Sequence, residues 1–290
     1  MQVLERLKIQ PTKKSETKVQ AIIVRVTPSK NSYNGEILGR SLVDWVAFAC
    51  NKLNKKVVDF SPKSSLIELA KNNIDSSYDY SIILMSTTPL LTADTIDSII
   101  EYAVYKDVNL CKLPVGYIVK NSYMLSGNTL DIDSLYSQNL EEFFLVESKK
   151  QYVEAEEILQ SRINSFHMRN GVEIERPKNT YIGPEVDIEP GVIIMVGNVL
   201  KGHTKIGAGV ILKENNVVSN SKIGADSCVA GASIEESILG RECYVSSYST
   251  IKHSIVGDRC IIGAGCHISR YNLAASSKLN ANTILGEDNK

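Results

Sequence analysis

The chain has 290 residues, of which 43% are hydrophobic and 22% charged, and its formal net charge at pH 7 is −1. This composition is typical of a soluble globular protein with room for two domains, and the balanced charge argues against nucleic-acid or anionic-membrane binding. No apolar run approaches the roughly 18 residues that a membrane span needs. The basic first twenty residues lack the apolar core of a signal peptide, so a cytoplasmic location is expected.

The first part of the chain alternates between predicted strands and predicted helices. The near-continuous apolar segments 19–26 and 80–86 are typical of buried strands in a parallel sheet. Helical patterns follow them at residues 41–52 and 93–105. This alternation predicts a Rossmann-like α/β domain over residues 19–147.

A single long helix is predicted over Lys149–Arg169. This segment is rich in Glu, Gln and Ala and has no internal Gly or Pro, and Asn170-Gly171 supplies the stop signal. The predicted organisation of the whole chain is an N-terminal extension (1–18), the α/β domain (19–147), a linker helix (148–171) and a β-helix (172–290).

Aliphatic residues recur at every sixth position beyond residue 181, a period that neither an α-helix (3.6) nor a flat strand (2) produces. The first seven are Ile182, Ile188, Ile194, Leu200, Ile206, Leu212 and Val218. This spacing is the signature of a hexapeptide-repeat β-helix, in which every sixth side chain enters one narrow core. The pattern restarts at Ile223, Leu239 and Val256, at intervals of 16 and 17 residues that match one triangular coil.

Five glycines are predicted to lie at the corners of these coils, because the backbone is expected to need conformational freedom where it turns. They are Gly207, Gly224, Gly240, Gly257 and Gly263. Each coil buries its aliphatic layer only against its neighbours, so the coils are expected to be stable as a stack. Residues 274–290 are predicted to form a polar cap or a last partial coil.

Three motifs resemble a known family. Residues 162–172 fill the pattern R-I-N-x-x-H-M-x-x-G-V, residues 89–92 (PLLT) are similar to the end of G-D-T-P-L-L-T, and residues 262–273 are similar to I-G-A-G-T-I-T-x-N-Y-D-G. Together they resemble the bifunctional N-acetylglucosamine-1-phosphate uridyltransferase/glucosamine-1-phosphate acetyltransferase family. The resemblance implies a nucleotidyltransferase domain followed by a left-handed parallel β-helix, and a homotrimer formed through that β-helix.

The residues that correspond to the family's uridyltransferase site are altered. Its glycine-rich phosphate loop corresponds to residues 27–30 (TPSK), with no glycine before Gly35, so the phosphate-binding amides are lost. Its metal-binding Asp and Asn correspond to Thr87 and Glu147. Threonine is a poor Mg²⁺ ligand on its own, and a single carboxylate without an opposing ligand is typical of a solvated surface residue. Its uracil-binding loop is replaced by residues 64–70.

The residues that correspond to the acetyltransferase site are altered as well. Ser247 stands where the family has its general-base histidine, and serine cannot take a proton at neutral pH without a neighbouring base. Arg270 replaces an asparagine, whereas Tyr271 is retained. His253 or His267 could serve as a relocated base, although an exposed corner histidine is the simpler interpretation. The β-helix is also expected to lack later coils that, in the family, bind acetyl-CoA between subunits.

Two altered sites in one chain favour a divergent, non-catalytic relative of UDP-N-acetylglucosamine pyrophosphorylases, acting as a scaffold, regulator or sugar-nucleotide-binding protein with a possible protein partner. This hypothesis predicts no catalytic residue, metal ligand or cofactor. One alternative is a sugar-phosphate nucleotidyltransferase with a rebuilt Mg²⁺ site using Glu147 and Lys30. The other is a hexapeptide-repeat acyltransferase that uses acetyl-CoA and His253 or His267.

Overall fold

A computed structural model describes residues 17–26, 36–60, 65–127 and 130–286. The chain divides into two compact units, Met1–Ala155 and Glu156–Lys290. Each unit has its own buried apolar core. Within the described ranges, none of the helices combines the length and the hydropathy of a membrane span.

The first unit is built on a mixed β-sheet. Its strands are β1 (Val19–Arg25), β2 (Glu36–Ile37), β3 (Arg40–Ser41), β4 (Asn54–Asp59), β5 (Tyr80–Met85), β6 (Leu110–Lys112), β7 (Tyr117–Lys120) and β8 (Ser134–Leu135). The main sheet has the order β4-β1-β5-β7-β6-β8, in which β1 pairs in parallel with β4 and β5. The two predicted strands are therefore central, and their continuous apolar sequences are explained by apolar side chains packed on both faces.

The first unit also contains helices, and the last of them crosses into the second unit along the sequence. They are α1 (Leu42–Ala49), α2 (Leu66–Lys71), α3 (Ala93–Lys106), α4 (Asn121–Leu125) and α5 (Lys149–Arg169), with a 3-10 turn at Leu140–Phe143. Ser41, Ser65 and Thr92 cap α1, α2 and α3 by accepting a hydrogen bond from a backbone N–H of the first turn. The long helix predicted over Lys149–Arg169 is present with those bounds.

The second unit is a parallel β-helix. Its strands are β9 (Glu173–Ile174), β10 (Tyr181–Ile182), β11 (Asp187–Ile188), β12 (Ile193–Ile194), β13 (Val199–Lys201), β14 (Lys205–Ile206), β15 (Ile211–Leu212), β16 (Val217–Ser219), β17 (Lys222–Ile223), β18 (Cys228–Val229), β19 (Ser233–Glu235), β20 (Ile238–Leu239), β21 (Tyr244–Val245), β22 (Thr250–Lys252), β23 (Ile255–Val256), β24 (Ile261–Ile262), β25 (His267–Ser269), β26 (Asn272–Leu273), β27 (Lys278–Leu279) and β28 (Ile284–Gly286). They form three parallel sheets, of seven, six and seven strands.

The predicted aliphatic ladder forms the core of this β-helix. Its seven members from Ile182 to Val218 are at most 6% exposed, and Ile223, Leu239 and Val256 continue it. Each strand pairs with its equivalent one coil away, so the register places one aliphatic layer on the next. At the C-terminal end, β27 and β28 pair with β24 and β25, which extends the last coil to Gly286.

The prediction that the five corner glycines supply conformational freedom to the backbone is wrong. None of them has a positive φ, so no special backbone conformation requires glycine there. Instead, an added Cβ would collide with backbone atoms of the next coil: on Gly224 it would lie 2.5 Å from the carbonyl carbon of Gly240, and on Gly257 it would lie 2.5 Å from the Ala275 nitrogen. These glycines therefore allow neighbouring coils to approach closely.

Left-handed backbone does occur at the corners, at other positions. The first corner has left-handed residues at Gly191, Gly209, Asp226, Glu242, Arg259 and Ser276. The second corner has them at Gly197, Asn215, Gly231, Tyr248, Gly265 and Asn282. The third corner has them at Gly202, Asn220, Glu236, His253 and Arg270. At each of the three corners, the left-handed residues of successive coils therefore stack along one edge of the β-helix.

Candidate functional sites

The end of β5 and the beginning of α5 lie close together, and this is where the resemblance places two metal ligands. The Val146 N–H donates to the Thr87 carbonyl oxygen at 2.8 Å. The Thr87 side chain is buried, and its Oγ1 makes no hydrogen bond among the described residues. Glu147 is exposed, and its N–H donates to the side chain of Gln151. The fold thus brings Thr87 and Glu147 to one region.

Among the described residues, this region offers one exposed carboxylate, Glu147, to a bound Mg²⁺. That ion prefers near-octahedral oxygen ligands, in which one or two carboxylates are completed by waters and substrate phosphates. Glu142, the preceding carboxylate along the chain, accepts hydrogen bonds from the Thr92 N–H and hydroxyl, both at 2.9 Å, and so holds the start of α3. Across the part of the chain that the structure describes, no three histidine, cysteine or carboxylate side chains are grouped for a metal. Lys30 lies outside the described residues.

The third corner of the β-helix carries a histidine paired with a carboxylate. Glu236, His253 and Arg270 have φ values of 45°, 48° and 48° and follow one another on successive coils. His253 Nδ1 lies 3.0 Å from Glu236 Oε2. A carboxylate at Nδ1 holds the imidazole in one tautomer and leaves Nε2 to accept a proton. The sequence interpretation missed Glu236, although its 17-residue separation from His253 is the length of one coil.

Of the other acetyltransferase candidates, Ser247 and His267 lie away from this pair along the coil, whereas Tyr271 lies beside it. Ser247 is at the second corner, six residues before His253, and its carbonyl oxygen accepts the Gly265 N–H. No hydrogen bond joins its hydroxyl to a histidine or carboxylate in the described residues. His267 lies on β25, paired with Thr250 one coil earlier, and its neighbour Ile268 faces the core. Tyr271 follows the third corner, half-exposed, with its N–H on Ser254 Oγ.

The motif that includes His167 closes α5 onto the first coil. His167 is buried, and its carbonyl oxygen accepts the Val172 N–H at 3.1 Å. The Asn164 side-chain amide donates to the carbonyl oxygens of Pro177 at 2.8 Å and Thr180 at 3.1 Å. These contacts give the motif a structural role within the second unit.

The stability of the protein is expected to depend on the ionisation of His167. Burial lowers its pKa, and the nearby Asp187 carboxylate partly opposes this shift. The unfolded chain, with a histidine pKa of about 6.5, therefore binds a proton more readily than the folded chain. The contribution of the neutral imidazole is present above that pH, and it is lost as the pH falls towards the lower folded-state pKa.

We therefore expect wild type to lose its stability advantage over His167→Gln as the pH is lowered from about 7.5 to about 5.5. The difference between their free energies of unfolding should fall by about 1.4 kcal/mol for each pH unit between the unfolded-state and folded-state pKa values of His167. Urea denaturation of both proteins at the two pH values measures this. Parallel pH dependences for the two proteins would contradict the assignment.

One outer face of the β-helix carries a continuous apolar stripe. We call the outward-facing residues of β12, β15, β18, β21 and β24 the outer stripe: Ile193, Ile211, Cys228, Tyr244 and Ile261. Tyr244 is 40% exposed and Ile261 is 43% exposed, and Cys228 is the one cysteine of six that is not buried. Contiguous exposed apolar surface of this kind marks interaction sites in soluble proteins.

These features define a class: an α/β unit followed by a parallel β-helix of hexapeptide repeats. Residues 210–290 match the family described as "GlmU-like, C-terminal hexapeptide". The bifunctional protein GlmU of Clostridium novyi (strain NT) is 38% identical over 152 residues, which are 52% of this chain and 33% of that protein. GlmU of Clostridium acetobutylicum is 35% identical over 148 residues, which are 51% of this chain and 32% of that protein.

The chain is therefore similar to the GlmU proteins over about half of its own length, and the matched segment spans about a third of theirs. A solved structure, a point mutant of GDP-perosamine N-acetyltransferase from Caulobacter crescentus in complex with CoA and GDP-perosamine, is 15% identical and has a TM-score of 0.25. That match covers 90% of this chain and 93% of the other.

Proposed function

We propose that this protein is a non-catalytic relative of the GlmU proteins that acts as a homotrimeric scaffold. The observation that carries the proposal is Ser247, which stands where the resemblance places the general base. Its hydroxyl has neither a histidine nor a carboxylate partner in the described part of the chain. A serine without an adjacent base is too weakly nucleophilic and too weakly basic for acyl transfer.

The first unit supports the same proposal. A Mg²⁺-dependent nucleotidyl transfer needs ligands for the ion that holds the phosphates. At the end of β5 the structure offers one exposed carboxylate, Glu147, beside the buried hydroxyl of Thr87. Among the described residues, which do not include Lys30, no observation favours the alternative of a rebuilt site around Glu147 and Lys30.

The outer stripe supports self-association. In contrast to the altered sites, the β-helix retains a complete aliphatic core, so its fold is preserved. Burial of the outer stripe in an interface would contribute about 25 cal/mol for each Å² of apolar surface removed from water. An assembly of this kind gives the protein a role that needs no chemistry, as a platform for a sugar nucleotide or a protein partner.

The proposal predicts a particle of three times the 32.0 kDa chain mass by light scattering, in which Cys228 is shielded from a thiol reagent. The other five cysteines are buried, and burial raises the pKa of Cys50 to about 12 and that of Cys243 to about 11. Because the thiolate is the reactive form, these buried residues resist modification in the folded protein. Native wild type is therefore expected to show no rapidly reacting thiol.

Ile261→Asp places a charge in the outer stripe and is expected to give a monomer with one reactive thiol, Cys228. Ile238→Asp is the matched control, since Ile238 is similarly exposed on the outer side of a different sheet. The control should remain a trimer with no reactive thiol. A monomeric wild type, or a Cys228 that reacts rapidly in the wild-type trimer, would refute this arrangement.

A second candidate function is acyl transfer, which the 3.0 Å contact between His253 and Glu236 favours. His253 Nε2 would remove the proton of an acceptor amine as the nitrogen attacks the carbonyl carbon of an acyl thioester. The C–N bond forms, the C–S bond breaks, and the proton passes from the imidazole to the departing thiolate. Under this alternative, acetyl-CoA consumption is abolished by His253→Gln and unaffected by His267→Gln; turnover that survives His253→Gln excludes it.

A further inference from the structure

Tyr248 stands out at the second corner of the β-helix. Its φ is 64°, and its side chain is 87% exposed. All the other left-handed residues of this corner are glycine or asparagine: Gly197, Asn215, Gly231, Gly265 and Asn282. Glycine and asparagine are the residues that adopt this conformation most readily. A tyrosine there has an unfavourable backbone and an almost fully solvated ring.

The other two corners also carry left-handed residues that are not glycine, but their side chains are small, charged or, at His253, a polar imidazole. Within the described coils, Tyr248 is the one left-handed residue with a large apolar side chain. A charged side chain gains hydration at an exposed corner, whereas a phenol ring gains nothing from water over most of its surface. Neither its backbone conformation nor its hydration favours a tyrosine at this position in the isolated chain. Its presence is therefore best explained by a contact with another molecule.

Tyr248 lies beside the outer stripe. It follows Tyr244, a member of the stripe, by four residues on the same coil, and it is adjacent to Ser247. A partner that covers the stripe at Tyr244 would therefore extend over the corner. Tyrosine is enriched among the residues that contribute most to protein–protein affinity, because its large rigid ring loses little conformational entropy on burial.

We propose that the Tyr248 ring is buried against a second copy of this chain and is a main determinant of the affinity of the homotrimer. This inference rests on the proposed scaffold function. It gives a role in assembly to the corner where the resemblance places an acetyltransferase site. Ser247 stands at the position that the resemblance assigns to proton transfer, and the neighbouring Tyr248 provides an aromatic contact for a second copy of the chain.

Tyr248→Gly separates this role from a merely structural one, because the two predict opposite results. The substitution relieves the left-handed backbone, so the melting temperature of the dissociated chain should stay the same or rise. The dissociation constant of the trimer, measured by sedimentation over a dilution series, should rise by at least about tenfold. Tyr248→Phe, which retains the ring, should assemble like wild type.

Arg270→Gly is the matched control. Arg270 also has a left-handed backbone, with a φ of 48°, but it lies at the third corner, between the two sheets that do not carry the outer stripe. It should leave the dissociation constant unchanged. If wild type is a trimer and Tyr248→Gly assembles as tightly, or if Arg270→Gly weakens assembly equally, the inference is wrong and the scaffold proposal stands. A wild type that is monomeric at every concentration would instead overturn the scaffold proposal itself.

Discussion

Gly224→Ala is expected to destabilise the β-helix by about 3 kcal/mol, through overpacking between coils. An added Cβ would lie 2.5 Å from the carbonyl carbon of Gly240, 2.6 Å from its oxygen and 2.7 Å from the Arg241 nitrogen. These are backbone atoms of the next coil, and the Gly224 N–H is itself hydrogen-bonded to the Leu239 carbonyl oxygen. Relief of the collision therefore requires the two coils to separate and weakens the hydrogen bonds between them.

Gly183→Ala is the matched control for this prediction. Gly183 is also a buried corner glycine without a positive φ, but the nearest atoms to its added Cβ lie at 3.5 Å, an ordinary van der Waals distance. It should change the free energy of unfolding by less than about 1 kcal/mol. Urea denaturation measures both variants. Equal stability of the two would show that the coils do not approach each other at Gly224 as closely as described.

Ile262→Ala is expected to destabilise the protein by about 2–5 kcal/mol, the cost of removing a buried aliphatic side chain and leaving a cavity. Ile262 is fully buried in the aliphatic core. Its neighbour Ile261 is the same residue type on the same strand, but it faces outward and is 43% exposed. Ile261→Ala is therefore expected to cost less than about 1 kcal/mol in the dissociated chain.

The adjacent pair separates folding from assembly. Ile262→Ala should lower the urea midpoint strongly, whereas Ile261→Ala should chiefly raise the dissociation constant of the trimer, because Ile261 belongs to the outer stripe. Both quantities are measured on the same samples, by circular dichroism and by sedimentation. Comparable losses of stability for the two variants would contradict the assignment of inward and outward faces along β24.

The β-helix could be predicted from the sequence because its environment repeats. Each of the residues from Ile182 to Val218 occupies an equivalent place in the core, so the same chemical requirement returns every six positions. The central strands β1 and β5 were also predictable, since burial on both faces leaves a continuous apolar sequence. The edge strand β4 was not predicted: it carries Lys55 and Lys56 and is largely exposed, so it lacks the apolar pattern.

The details of the corners could not be predicted, because they depend on which residues stack. Coils differ in length by one or two residues, so the partner of His253 could not be assigned before Glu236 was placed above it. The corner glycines were located correctly but explained wrongly, since contact with the next coil is invisible in a single chain segment. Tyr248 was missed because neither its φ nor its exposure leaves a sequence pattern.

The most direct test of the central claim, that both family activities are absent, is thermal unfolding with UTP and Mg²⁺ and, separately, with acetyl-CoA. A ligand at 100 times its Kd stabilises the folded state by about 2.7 kcal/mol, which gives a clear rise in melting temperature. The account predicts no shift with either donor, whereas a shift with UDP-N-acetylglucosamine alone is compatible with a sugar-nucleotide-binding scaffold. A Mg²⁺-dependent shift with UTP, or a shift with acetyl-CoA, would contradict it.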